Sequence, residues 1–259
     1  MSDAQQLAEA VSTFRRDFAR RQAARVVEAD GAFAVLDEEF SGSYEHNQLY
    51  VERADDPVAL AGLADELLGG LRHRRIAVRD GALAEAAAPA LLAAGYTHDV
   101  ELLMVHRGPL PAGDGAGRVA EVGIAELRPA ELEQWRRWLP DSTDAVLEQL
   151  VGRRKRRLDG ADSVRTLAAR DEDGEIGAWA DLYVDRASGL AQIEDLATAE
   201  PRRGRGLGDA VLAAALHRAA AAPGHRLTFL VADAADWPQH WYARRGFTPI
   251  GRTHAFTRS

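Results

Sequence analysis

The segment Pro201-Arg202-Arg203-Gly204-Arg205-Gly206-Leu207-Gly208 constrains this chain more than any other. It follows a strand-like run, Leu190 to Ala197, and precedes a helix-like run, Asp209 to Ala222. A strand, a glycine-rich turn and a helix start imply an α/β unit. The N-terminus of such a helix leaves backbone N–H groups unpaired and carries partial positive charge, so it suits phosphate. Glycine permits backbone angles that other residues avoid and lets a ligand approach closely. Arg203 and Arg205 add positive charge, and a pyrophosphate fits the combination. No Gly-Lys-Ser/Thr follows the turn, so it is not a Walker loop. The spacing Gly204-x-Gly206-x-Gly208 also departs from the dinucleotide fingerprint Gly-x-Gly-x-x-Gly.

The pattern that fits is Arg-x-x-Gly-x-Gly, at Arg203, Gly206 and Gly208. Upstream lies Ile193-Glu194-Asp195-Leu196-Ala197-Thr198. Downstream, Leu227 to Val231 reads as a buried strand. After it, Tyr242 stands four residues before the pair Gly246-Phe247. In this order the motifs resemble the acetyl-CoA loop, fourth strand and last helix of the GNAT acetyltransferase superfamily, over residues 118–259. The sequence departs from the family at one side-chain contact to the cofactor: where the family often has an asparagine near the start of the last helix, this chain has Ala234, Ala235 and Asp236.

The resemblance implies an α/β (α+β) fold, a mixed, mostly antiparallel twisted sheet flanked by helices. It implies acetyl-CoA as cosubstrate, held mainly by backbone. Main-chain groups of Leu196, Ala197 and Thr198 would pair with the pantetheine arm, and amides of Arg203, Gly204, Arg205, Gly206, Leu207 and Gly208 would bind the pyrophosphate. It also implies a carboxylate base at Glu194, with Gln192 at the alternative position unable to serve. Strand alternation puts Gln192, Glu194 and Leu196 on one face; a bulge would swap the faces and make Asp195 the reserve. Tyr242 would hydrogen-bond the departing thiolate.

Composition narrows the partners. The 259-residue chain has room for one large domain or two small ones, and a formal net charge of −8 argues against a general nucleic-acid binder. Absence of cysteine excludes disulfides and a cysteine acyl-enzyme. No histidine spacing suits a metal, so none is expected. The N-terminal residues lack an apolar signal core, and the Ala-rich stretch Ala82 to Ala94 is too short to span a bilayer. The expectation is a cytoplasmic protein, monomer or homodimer, with no membrane partner.

The break at residues 107–118, rich in Gly and Pro, suggests domains at 1–107 and 118–259 joined by a linker at 108–117. The halves look related: Leu92-Ala-Ala-Gly95-Tyr96-Thr97 parallels Ala243-Arg-Arg-Gly246-Phe247-Thr248. Where the first half would carry its phosphate loop stand Asp55 and Asp56, which repel phosphate. The expectation is two tandem copies, the N-terminal one shortened and without a cofactor site. Helices are expected at 4–29, 57–71, 82–94, 129–139 and 143–157, and a hairpin at 163–184 turning on Asp171-Glu-Asp-Gly174.

Weaker features have bland readings. Asp181, Asp185, Glu194 and Asp195 form either an acidic cleft or a solvated strand face. The five tryptophans suggest packing. Arg153-Arg154-Lys155-Arg156-Arg157 reads as a solvated helix end, with a phosphate-greeting patch as the alternative. The function expected is acetyl transfer to an amine, from a small molecule or a protein; the rivals are a non-catalytic acyl-CoA sensor and a scaffold.

Overall fold

A computed structural model of the chain describes residues 2–113 and 117–259; part of the expected linker, residues 114–116, lies outside them. The chain forms two compact units, one of residues 1–104 with 231–259 and the other of residues 105–230. The units are therefore not consecutive halves, as the sequence had suggested. The cause is strand pairing. The last strand, β11 (Phe247–Arg258), lies antiparallel to β4 (Arg74–Val78), with His254 opposite Val78 and Arg258 opposite Arg74.

In the first unit, β1 (Arg25–Ala29), β2 (Ala32–Leu36) and β3 (Gln48–Val51) form an antiparallel meander, and β3 runs parallel to β4. The expected long first helix stops earlier, as α1 (Asp3–Gln22), because Asp30-Gly31 turns the chain into a hairpin with Gly31 at φ +68°. A 3-10 turn at Pro57–Ala59 leads into α2 (Leu60–Leu68); α3 (Gly81–Ala93) follows β4 and precedes β5 (Thr97–His106). Leu49, Leu60, Leu68, Ile76, Leu91 and Phe256 meet in this unit's core.

In the second unit, β6 (Val119–Val122), β7 (Ser163–Arg170), β8 (Ile176–Asp185) and β9 (Leu190–Thr198) are antiparallel neighbours, and β9 runs parallel to the start of β10 (Leu227–Asp233). Before β7 come α4 (Ile124–Trp138), α5 (Asp144–Gly152) and the single turn α6 (Arg154–Arg157). Between β9 and β10, a 3-10 turn at Glu200–Arg202 leads into α7 (Leu207–Ala220), which packs on β7, β8 and β9. Its buried face includes Leu207, Val211, Leu212 and Leu216.

The same local plan thus occurs in each unit: a strand, a 3-10 turn, a helix and a parallel strand. The glycines paired by the sequence repeat match in conformation. Gly95 and Gly246 both have φ +86°, each turning a helix into a strand. The short helix before Gly246 is α8 (Pro238–Ala243). The fold is a mixed α/β structure with a mostly antiparallel open sheet flanked by helices. Among the described residues, no helix is long and apolar enough to cross a membrane.

Candidate active site

The glycine loop takes the form its sequence requires. Gly204 and Gly206 have φ +77° and +74°, in the left-handed region that favours glycine. Gly206 is the N-cap of α7, and no side chain caps the helix there. The first intrahelical acceptor, the Gly206 carbonyl, bonds Ala210 N–H at 3.0 Å, so the amides of Leu207, Gly208 and Asp209 precede the helix ladder. A Cβ at Gly204 or Gly206 would meet no atom within 4 Å, so both face open space. At Gly208 it would lie 2.8 Å from Thr198 Oγ1, so the start of α7 is pressed on the end of β9. Leu207 is buried, and its side chain fills the space beside Gly177 of β8. Arg202 is tied to Asp171 in the hairpin turn, whereas Arg203 and Arg205 are exposed.

Strand β9 parts from β10 after three residue pairs, the last being Gln192 with Phe229. Ile193 to Thr198 then continue with partners on β8. Their other backbone edge is where a β-like ligand would add, and it leads straight to the glycine loop. Leu196, Ala197, Thr198 and the residues from Arg203 to Gly208 are thus consecutive parts of one feature.

A bulge interrupts β9. Asp181 of β8 faces Glu194, but Trp179 faces Ala197, so Asp195 and Leu196 together oppose Ala180. Asp195 adopts φ +56°, alone among the described non-glycine residues in having a positive φ. The strict alternation expected for this strand fails there. Before the bulge it holds: Thr166, Asp181 and Glu194 form one row across β7, β8 and β9, and Gln192 Nε2 donates to Glu194 on the same face.

The run from Arg153 to Arg157 is not a solvated helix end. Arg154 and Arg157 are 2% and 3% exposed. Arg154 makes a two-pronged contact with Glu131 of α4, at 3.2 Å from Nε and 3.1 Å from Nη2. It also pairs with Asp181, and its Nη2 lies 2.8 Å from Asp195 Oδ2. Arg157 Nη1 reaches the same two aspartates at 3.0 and 2.7 Å. Thr166 Oγ1 donates to Asp181 Oδ1 at 2.7 Å, and Tyr183 donates to Oδ2. The spacing of Arg154 and Arg157 explains their common direction, since residues three apart share a helix face.

The network sets charges. Burial works to raise the Asp195 carboxyl, but Arg157, Arg154 and Arg153 together hold it well below the usual carboxylate range. Asp195, the reserve base, is thus held as a carboxylate between two guanidinium groups. Burial pushes Glu131 up despite Arg154. Burial also opposes the charge on Arg154, and Asp181 and Asp195 outweigh it, raising the guanidinium further. Of the four acids, Asp181 and Asp185 are buried, and Glu194 and Asp195 are half-buried. Asp181 is fully buried in the network, and Asp185 accepts from Ser188 N–H at 2.9 Å and its hydroxyl at 2.6 Å in the turn before β9.

Tyr242 lies on α8, in the first unit, buried edge-to-face against Trp241 and Phe247 with ring centroids 5.2 and 5.9 Å apart. Asp236, near the place where the family has its asparagine, receives Trp237 N–H at 2.7 Å. In the first unit's counterpart of the glycine loop, Asp56 accepts Val58 N–H at 3.0 Å. A carboxylate of the chain thus occupies an amide of the kind a phosphate would need. The adjoining pocket, about 170 Å³, is lined by Asp30, Arg53, Asp55 and Asp56 with alanine and leucine side chains. Trp179 belongs to the second unit's core, while Trp138 is exposed.

Comparison with known proteins agrees with this geometry. Residues 125–247 match the acetyltransferase (GNAT) family model. A search of curated proteins found no match. A conserved protein of unknown function from Staphylococcus epidermidis superposes with a TM-score of 0.68 at 15% identity, covering 91% of this chain and 94% of that one. A GCN5-related N-acetyltransferase from Kribbella flavida gives a TM-score of 0.62 at 21% identity, covering 99% and 96%. A tandem GNAT protein from the clavulanic acid biosynthesis pathway gives 0.54 at 14%, covering 88% and 82%. These likenesses show the fold. The glycine loop, the parted strands and the family match agree: over residues 125–247 the chain is similar to the GNAT acetyltransferase family.

Proposed function

We propose that the protein is an acyl-CoA-dependent N-acyltransferase that moves an acetyl group from acetyl-CoA to a primary amine by direct attack. The observation that carries this reading is the continuity of the open edge of β9 with the uncapped, glycine-lined N-terminus of α7. An extended amide-bearing arm suits the first, and a pyrophosphate suits the second. Exposed Arg203 and Arg205 add charge for the phosphates. The amine comes from a small molecule or a protein.

A lysine-like ammonium is neutral in roughly one molecule in 2,500 at pH 7, a cost of about 4–5 kcal/mol. Glu194 is proposed to accept that proton, directly or through water. The amine nitrogen then bonds to the thioester carbonyl carbon, the C–S bond breaks, the sulfur leaves as thiolate, and the second proton on nitrogen passes to that thiolate or to solvent, giving a neutral amide and a thiol. Tyr242 is proposed to hydrogen-bond that thiolate. Backbone amides of β9 beyond the bulge would pair with the pantetheine arm. The first copy is proposed to have lost its cofactor function, because Asp56 fills the role of the anion there.

Calorimetric titration with acetyl-CoA, for wild type and Gly206→Val, tests the binding half. Micromolar binding lost in the variant supports the reading, and no binding by folded wild type overturns it. Thiol release across an amine panel tests the chemistry. Glu194→Gln should lower kcat by about 10²–10⁴ and leave acetyl-CoA affinity unchanged. Binding without turnover on any amine would favour a sensing module instead.

A further inference from the structure

We infer that Arg154 and Arg157 are positioning residues: they hold Asp195 in its left-handed conformation and so set the line of β9 beside the open edge. The inference rests on the acyltransferase reading for its purpose and on the geometry of the bulge for its mechanism.

Left-handed backbone is uncommon for any residue with a side chain and persists where the surroundings over-determine it. At Asp195 they do. Two guanidinium groups converge on one oxygen, Oδ2, at 2.8 and 2.7 Å. Neither guanidinium can follow the aspartate if it moves. Arg154 is anchored on Glu131 of α4, and both arginines on Asp181 of β8. Asp181 is fixed in turn by Thr166 and Tyr183. The anchors come from α4, β7 and β8, so the position of Asp195 Oδ2 is set from outside its own strand. With the carboxylate fixed, the extra residue of β9 stays at the bulge. The direction of Leu196, Ala197 and Thr198 follows from it.

The competing explanation is charge balance alone, in which the arginines neutralise carboxylates and the backbone angle is incidental. Two substitutions separate them. Asp195→Gly and Asp195→Ala both remove the charge, but only glycine takes a positive φ freely. Each is combined with Arg157→Met, and acetyl-CoA affinity and melting temperature are measured on the full chain. Arg157→Met should weaken acetyl-CoA binding about tenfold. Adding Asp195→Gly should restore affinity to within about threefold of wild type, and adding Asp195→Ala should not. The glycine double variant should also melt higher than the alanine one. Equal recovery by glycine and alanine, or wild-type affinity in Arg157→Met, overturns the inference. If Arg157→Met does not fold, the Asp195→Gly and Asp195→Ala single variants carry the same comparison. If wild type binds no acetyl-CoA, the acyltransferase reading falls and the proposed purpose with it. The melting order still decides whether the backbone is held.

Discussion

Replacing Gly206 with alanine separates the two costs that a loop glycine can carry. Its φ of +74° and ψ of 10° are left-handed, which costs an L-residue about 1–2 kcal/mol. No clash adds to this, because a Cβ there meets no atom within 4 Å. At about 2–4 °C per kcal/mol for a chain of this size, melting should fall by about 2–8 °C. Ligand affinity should fall much further. A methyl in the amide cradle displaces a phosphate oxygen, and losing two charge-assisted hydrogen bonds at roughly 1.5–3 kcal/mol each weakens binding at least about 100-fold. Gly224 is the matched control. It has φ +73°, open space around its Cβ, and a position beyond the far end of α7, a 14-residue helix about 21 Å long. Gly224→Ala should lose similar stability and bind acetyl-CoA like wild type. Differential scanning calorimetry and isothermal titration on both variants decide the matter. Equal affinity losses in the two, or no loss in Gly206→Ala, would refute the assignment of the loop.

Three further outcomes follow from the buried charges and the packing of α7. Arg154→Met should cost about 3–5 kcal/mol in urea unfolding, because it leaves buried carboxylates short of a partner. Glu131→Gln should cost much less, since burial already disfavours the ionised form of that residue; equal costs would show that the network is not organised around Arg154. Asp195 is held below the ordinary carboxylate range, so its contribution to stability is complete above about pH 4 and is lost as pH falls through its folded value. The melting difference between wild type and Asp195→Asn should therefore shrink between pH 5 and pH 2, and a constant difference contradicts the assignment. Gly208→Ala should destabilise by about 1–3 kcal/mol through the 2.8 Å approach to Thr198 Oγ1, and Thr198→Ala in the same chain should recover part of it; additive losses would mean that the two do not touch.

The parts of the site that were legible in sequence are those fixed by local chemistry. The glycine loop, the helix it opens and the hairpin at Asp171–Gly174 each depend on angles that few residues adopt, so composition announces them. The hairpin at Asp30-Gly31 had the same kind of signal, hidden at the end of an expected helix. The arginine run misled because most like-charge runs face water. The available clue was the three-residue spacing of Arg154 and Arg157, but their partners at Glu131, Asp181 and Asp195 lie on other elements, beyond local pattern. The bulge at Asp195 was foreseeable only as an option, because its φ is set by those distant guanidinium groups. Assignment of β11 to the first unit was not legible either, since strand partners far apart in sequence leave no local mark.

The pairing of β11 with β4 also governs the order of events during synthesis. Arg74 to Val78 leave the ribosome long before Arg258 to His254, their partners, have been made. The first unit thus waits with an unfilled strand position until β11 emerges. Closure of so long a loop is slow, and the waiting edge is exposed to other nascent chains. A premature stop near residue 245 would remove this strand, and with it the completion of a unit most of which had been translated long before.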